Sequence, residues 1–232
     1  MKNGYVFDAE LGTSIGIIAS ASYHNQQNTY GPRQWNAAQT NAYLNAIFQT
    51  GFDDSATDLW DDHSHNLSAG LSVNYDGYDE SLLGERLEVR GKRYEVTPGV
   101  FAEYTYTYKD KVTLLVGVRE DYSTRYGFFT TPRMNLRYAP FEWWTLRGSV
   151  GLGYRTPNAI ADNAAYLPSN RIYQYYTTLH NTTPLYTTLD NAQLAQERSM
   201  NTGLSTVFYI PMGNKELQLS GEYYYTKFLD GV

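Results

Sequence analysis

The chain has 232 residues, no cysteine and a formal net charge of −6. This excludes disulfides, cysteine-ligated zinc and cysteine nucleophiles, and without a basic stripe it argues against nucleic acid as a partner. No run approaches the ~20 apolar residues of a spanning helix, so any membrane crossing must be made by strands.

The start, Met1-Lys2-Asn3-Gly4, leads into alternating Tyr5, Phe7 and Ala9 rather than an apolar export signal. A secreted or membrane product with this start is expected to be cut from a longer precursor. Tyr5, Phe7, Ala9 and Leu11 share one face of a first strand, Gly12 to Ser14 turn it, and Ile15, Ile17, Ala19, Ala21 and Tyr23 form the apolar face of a second. Residues 25–36, rich in Asn and Gln with Gly31-Pro32 as a break, read as a polar loop. Ala42, Leu44, Ala46 and Phe48 then alternate with Tyr43, Asn45 and Gln49, which predicts a strand, although 37–48 also passes for a short helix. An acidic connector spans 52–65. Next, Leu67, Ala69, Leu71, Val73 and Tyr75 oppose Ser68, Gly70, Ser72, Asn74 and Asp76, and residues 79–93 read as a charged loop.

From Val100 to Arg155 the alternation is strongest and runs through four strands. Tyr104, Tyr106, Leu114, Val116, Met134, Leu136, Leu146 and Val150 stand on one face; Glu103, Arg119, Asp121, Arg133, Arg137, Arg147 and Arg155 stand on the other. In a soluble sandwich the apolar face would turn inward. Here the runs are about 9 to 14 residues, beyond the usual ~5–6 and close to what a tilted strand needs to cross a bilayer. The apolar face also carries Tyr108, Tyr138, Trp143 and Trp144 at one level and Tyr122, Tyr126 and Tyr154 at the other. Two aromatic belts around an aliphatic band are what the two membrane–water interfaces select. A one-residue slip would push five arginines into lipid, at a cost on the order of 10 kcal/mol. One register is therefore strongly preferred, with Glu120 the single charge on the apolar face of these strands.

Pro157 ends the fourth strand, and a Tyr-, Thr- and Asn-rich stretch follows to about Gln196. Two further strands are predicted around Thr202 to Phe208 and Leu217 to Tyr225, joined by a tight turn from Pro211 to Lys215. The expected fold is all-β: an antiparallel transmembrane β-barrel segment of about ten strands, with short connectors on one side and longer loops on the other.

Four motifs carry a family resemblance: Gly99-Val100-Phe101-Ala102-Glu103-Tyr104-Thr105-Tyr106; Thr131-Pro132-Arg133-Met134-Asn135-Leu136-Arg137-Tyr138; Thr145-Leu146-Arg147 through Gly153-Tyr154-Arg155-Thr156-Pro157-Asn158; and Glu197-Arg198-Ser199-Met200-Asn201-Thr202-Gly203-Leu204. In this order and spacing they resemble the barrel of TonB-dependent outer-membrane receptors, particularly those of Bacteroidetes. The resemblance implies a barrel of roughly 22 strands with a plugged lumen. It also implies a place in the bacterial outer membrane, lipid around the wall, a small-molecule cargo such as an iron–siderophore complex, haem or cobalamin, and a TonB complex reached through the plug. Residues 1–232 show no plug, no TonB-contacting segment and no terminal strand ending in an aromatic, so they are expected to be part of the barrel domain alone.

Asp53, Asp54, Asp58, Asp61, Asp62, His63 and His65 are the densest metal-capable group, but they lack calcium-loop spacing and its turn glycine and read as a solvated connector. No metal site and no cofactor is therefore expected. His24 and His180 lie in or beside outer loops, where they could ligate a haem or metal cargo, although single loop histidines are ordinarily solvated. Glu103, Arg119, Asp121, Arg133, Arg137, Arg147 and Arg155 are expected to line the lumen, pairing with each other and with a plug, or steering an anionic ligand. Tyr166, Tyr173, Tyr175, Tyr176, His180 and Tyr186 are the candidate cargo contacts in the loop after the fourth strand, which is otherwise an ordinary loop. No catalytic constellation emerges. A passive porin-like channel and an outer-membrane barrel enzyme are the alternatives to a transporter.

Overall fold

The structure, a computed structural model, describes residues 1–52, 62–84, 88–158, 160–168, 186–188, 195–213 and 215–230. Its elements are β1 (Lys2–Asp8), β2 (Thr13–Tyr30), β3 (Arg33–Phe52), β4 (His63–Leu83), β5 (Glu88–Tyr108), β6 (Val112–Ser123), β7 (Gly127–Phe141), β8 (Trp144–Arg155), a short 3-10 helix (Ala161–Tyr166), β9 (Tyr186–Thr188), β10 (Glu197–Met212) and β11 (Lys215–Asp230). Every strand on the main path pairs antiparallel with its predecessor, and β10 closes onto β8. The short β9 runs parallel to β5 at Glu88 to Arg90, on the edge that β6 leaves free. The sheet is open, with β1 and β11 each paired on one side only.

Alternation dictates the two faces, and the register aligns them across strands. Leu71 stands opposite Val100, Tyr104 opposite Val116, Leu114 opposite Leu136, Met134 opposite Val150 and Gly148 opposite Leu204. This apolar face is the exposed one: Leu71 is 62% accessible, Val100 52% and Leu136 41%. On the other face Ser72, Asp121 and Asn45 are buried. The usual distribution is inverted. Among the described residues the buried hydrophobics are Trp35, Leu82, Ile160, Leu167 and Val207, and the first four form one cluster at a single end of the sheet.

Rings bracket the aliphatic band. At the end carrying the short turns, Trp143 stacks on Phe141 at 5.1 Å, and Trp144 stacks on Phe208 at 6.0 Å. At the other end Tyr122 meets Phe128 at 4.8 Å and Tyr75 meets Tyr94 at 6.5 Å. Glu120 sits near that second belt, where it accepts a hydrogen bond from the Thr130 hydroxyl across the strand pair.

Two expected loops are strand instead. Residues 25–36 continue β2 and β3 around a tight turn at Gly31-Pro32, with Gly31 at φ +60°. Most of 79–93 likewise belongs to β4 and β5. The reason is reach. A strand of 20 residues such as β3 extends about 65 Å, far beyond the ~25 Å apolar band. Beyond the band neither face is apolar, so alternation vanishes while the hydrogen-bond ladder persists. The helical option for 37–48 is overturned by the same ladder, in which Ala42 pairs with Ala21 on one side and Tyr75 on the other. β1 stops at Asp8, earlier than expected, because the Asp8 carboxylate accepts hydrogen bonds from the backbone N–H of Glu10 and Leu11 and folds the chain into the turn.

Candidate functional site

The polar face organises into three levels. Just inside the second aromatic belt Arg119 and Asp121, two residues apart on β6, point the same way and pair side by side at 2.5–2.6 Å. Arg119 Nη2 also donates to Ser72 Oγ, two strands away, at 2.7 Å. That reach crosses β5 at Gly99, where a side chain would collide with both partners. Arg133 pairs with Glu103 across Gly117 by the same device. Arg119, Asp121, Arg133 and Glu103, with Asn45 and Phe101, line a cavity of about 530 Å³.

At the end where β8 stops, the segment after it folds back onto the wall. Ile160 and Leu167 pack on Trp35 and Leu82. Asn158 Nδ2 donates to both oxygens of Glu80 at 3.0 and 3.2 Å, and Arg33 Nη1 donates to the Leu167 carbonyl at 2.7 Å. Glu95 accepts from Ser123 Oγ at 2.7 Å and from Thr156 Oγ1 at 3.3 Å. Arg93 lies 4.1 Å over the Tyr78 ring. Glu80 and Tyr78 stand beyond the apolar band, which ends at Tyr75. Burial raises the Glu80 carboxyl above its ordinary value, against the Asn158 hydrogen bonds and the Arg93 charge, which lower it. Burial, reinforced by Asp76, likewise raises the Tyr78 hydroxyl. Arg155 fixes the base of the segment, donating to Glu197 at 2.7 Å and bidentately to Asp162 at 3.0 Å.

At the third level, near the short turns, Arg137 and Arg147 occupy directly opposed positions of β7 and β8. Arg137 Nη1 donates to the Asp110 carbonyl at 2.7 Å.

The seven charged residues singled out from alternation thus share one face but separate into these levels. Of the loop candidates, Tyr173, Tyr175, Tyr176 and His180 lie outside the described residues, Tyr166 ends the 3-10 helix and Tyr186 opens β9. Asp53, Asp54, Asp58 and Asp61 are also outside. Asp62 pairs with Lys109 at 2.6 Å. His63 and His65 stand on the apolar face, hydrogen-bonded to the Tyr106 and Tyr104 hydroxyls at 2.6 and 2.5 Å. His24 meets Gln26 at 3.4 Å. Among the described residues no group of three metal-capable side chains converges. Sequence reasoning missed the Glu80–Arg93–Asn158 cluster; its one local signal was that Tyr78, Glu80 and Leu82 prolong the inward-facing series of β4.

Among curated proteins none matches the sequence significantly. Solved structures share the fold. The ferric yersiniabactin uptake receptor FyuA from Yersinia pestis is 13% identical, with 97% of this chain and 35% of that one covered at a TM-score of 0.54. The ferric citrate transporter FecA is 10% identical, covering 98% and 34%, also at 0.54. The copper transporter OprC is 11% identical, covering 96% and 37%, at 0.53. The chain spans little more than a third of each of these proteins. Residues 2–231 match the family described as TonB dependent receptor-like, beta-barrel, whose members are outer-membrane receptors and not enzymes. From its alternating faces, its open antiparallel sheet and this match, the chain belongs to the TonB-dependent receptor β-barrel family.

Proposed function

We propose that this chain forms a continuous part of the wall of an outer-membrane receptor that takes up a scarce small-molecule cargo with energy delivered through TonB. The plug, the TonB-contacting segment and the remaining strands belong to the longer protein of which this chain is a piece. The exposed apolar face meets lipid, and the buried polar face encloses an aqueous space occupied in part by the plug. The observation that carries the reading is the inversion of burial: Leu71 and Val100 are open on one side while Asp121 and Ser72 are closed on the other.

The polar face suits passage rather than catalysis. Arg119, Arg133 and Arg155 are each held by a carboxylate and lie against the wall over glycines or beside the folded-back segment. Cargo arriving from the side of this cluster first meets Glu80, Arg93 and Asn158, and residues 169–185, which follow the segment the cluster holds. Iron–siderophore complexes, haem and cobalamin-like ligands are the cargo classes that fit a barrel of this family.

The test uses the protein in its longest form. Its migration in a gel should change on heating, it should require detergent for extraction, and it should support uptake of a labelled iron complex only in cells with an intact TonB system. A folded form soluble without detergent, or uptake unaltered by loss of TonB, would refute the proposal.

A further inference from the structure

We propose that Arg137 and Arg147 form a subsite for a carboxylate-bearing group on the polar face. Alternation put five arginines on this face, and the structure treats them unequally. Arg119 has Asp121, Arg133 has Glu103, and Arg155 has Glu197 and Asp162. Arg137 and Arg147 have no carboxylate among the described residues, although they are cross-strand neighbours at one register position. The nearest acid in that row is Glu222, opposite Ser205 on β11, which places it two strands, or about 10 Å, from Arg147. Like charges set directly opposite repel. The arrangement is relieved when an anion bridges them.

The surroundings are those of an anion site. Thr113 stands beside Arg137 and Ser205 beside Arg147 in the same row, and Asn135 faces Ser149 in the next polar-side pair. These four side chains and the two arginines, all able to donate hydrogen bonds, line a cavity of about 300 Å³ together with Leu115, Leu204 and Tyr224. The Asp110 carbonyl holds one nitrogen of Arg137, so its guanidinium is oriented in advance and its other N–H groups remain for a bidentate acceptor. A carboxylate, planar and with two oxygens, matches that fork; it can come from a free ligand or from an acidic side chain of a polypeptide segment seated against the wall. This inference rests on the polar face enclosing an aqueous space, as proposed above, and heat-modifiable migration reports that reading separately.

The experiment is arginine footprinting. The protein is extracted from membranes in detergent, modified with phenylglyoxal with and without citrate as the carboxylate probe, and read residue by residue by mass spectrometry. For a free ligand, Arg137 and Arg147 react readily without citrate and several-fold more slowly with it, while carboxylate-paired Arg133 is unaffected. For a protein carboxylate, both are slow from the start, and they become reactive in urea too weak to abolish heat-modifiable migration. In either case R147Q should alter Arg137: citrate protection is lost in the first, and reactivity rises without urea in the second. Reaction at the unfolded rate with or without citrate, or an Arg137 indifferent to R147Q, overturns the proposal while leaving the barrel reading intact.

Discussion

A Cβ placed on Gly99 would overlap Asp121 Oδ1 and come within 2.8 Å of Arg119 Nη2. The bare backbone of β5 is thus the floor over which β6 reaches to Ser72 on β4. Gly99→Ala should therefore displace the Arg119–Asp121 pair and destabilise the wall by about 1–3 kcal/mol, the usual cost of overpacking. Gly148, on the apolar face with open space around it, is the control. Urea midpoints of gel-resolved folded protein should fall for Gly99→Ala and stay level for Gly148→Ala; equal values would remove Gly99 from its assigned role.

Face assignment makes a second expectation. Leu136→Arg or Leu114→Arg puts a charge toward hydrocarbon at roughly 2–4 kcal/mol each, whereas Asn135→Arg and Thr105→Arg place it on the wet side. The amount of protein assembled in outer membranes should drop sharply for the first pair and little for the second. Equal tolerance would contradict the inversion of faces.

Among the described residues the rim cluster is the one place where buried apolar side chains pack together. Truncating Ile160 or Leu167 to alanine should cost about 2–4 kcal/mol locally, freeing the segment after β8 without opening the sheet. Hydrogen exchange should rise over residues 158–167 and remain unchanged in β6 and β7. A uniform rise across the sheet would mean that the cluster supports the whole wall.

Glu80 gives that segment a pH dependence with a definite sign. Because burial raises its carboxyl above the ordinary 4.5, Glu80 binds its proton more tightly in the folded rim than when the segment has been released. The rim is thus stabilised below the raised value, and that stabilisation is lost as pH climbs through it. Exchange over 158–167, corrected for its intrinsic pH dependence, should slow between neutral and mildly acidic buffer. Glu80→Gln should flatten the profile, and an unchanged slope in that variant would assign the effect to another group.

Cargo binding is expected to depend on residues 169–185 rather than on the anchored base. Removing 169–185 should weaken binding of a labelled cargo while heat-modifiable migration persists. A deletion reaching into 160–167 would also dismantle the cluster on Trp35 and Leu82, so its effect could not be assigned to cargo contact.

The central strands were legible because an exposed apolar face and a buried polar one go with strict alternation from Val100 to Arg155. Where neither face is apolar that contrast disappears: Asn25, Gln26, Gln27 and Asn28 read as loop yet pair residue by residue with Trp35 to Ala38. The short-turn end was partly readable, since Lys109 and Asp110 occupy the left-handed region at φ 47° and 54° in a tight hairpin. The rim was not, because Asn158 meets Glu80 across 78 positions of sequence and no local pattern announces such a pairing. The polar face could be named from alternation, but not the partner of each charge; that depended on which neighbours were glycine.

The spacing of apolar residues one position apart has a consequence for the journey of this polypeptide before it folds. The alternating stretches present grease and water-loving groups by turns, so no contiguous segment is hydrophobic enough to be arrested as a helix in a bilayer. The oily surface is created only when strands align and their separate rows merge. On the wall proposed above, maturation is thereby tied to arrival: the molecule stays tractable in water while unpaired and becomes lipid-seeking once its neighbours come into register.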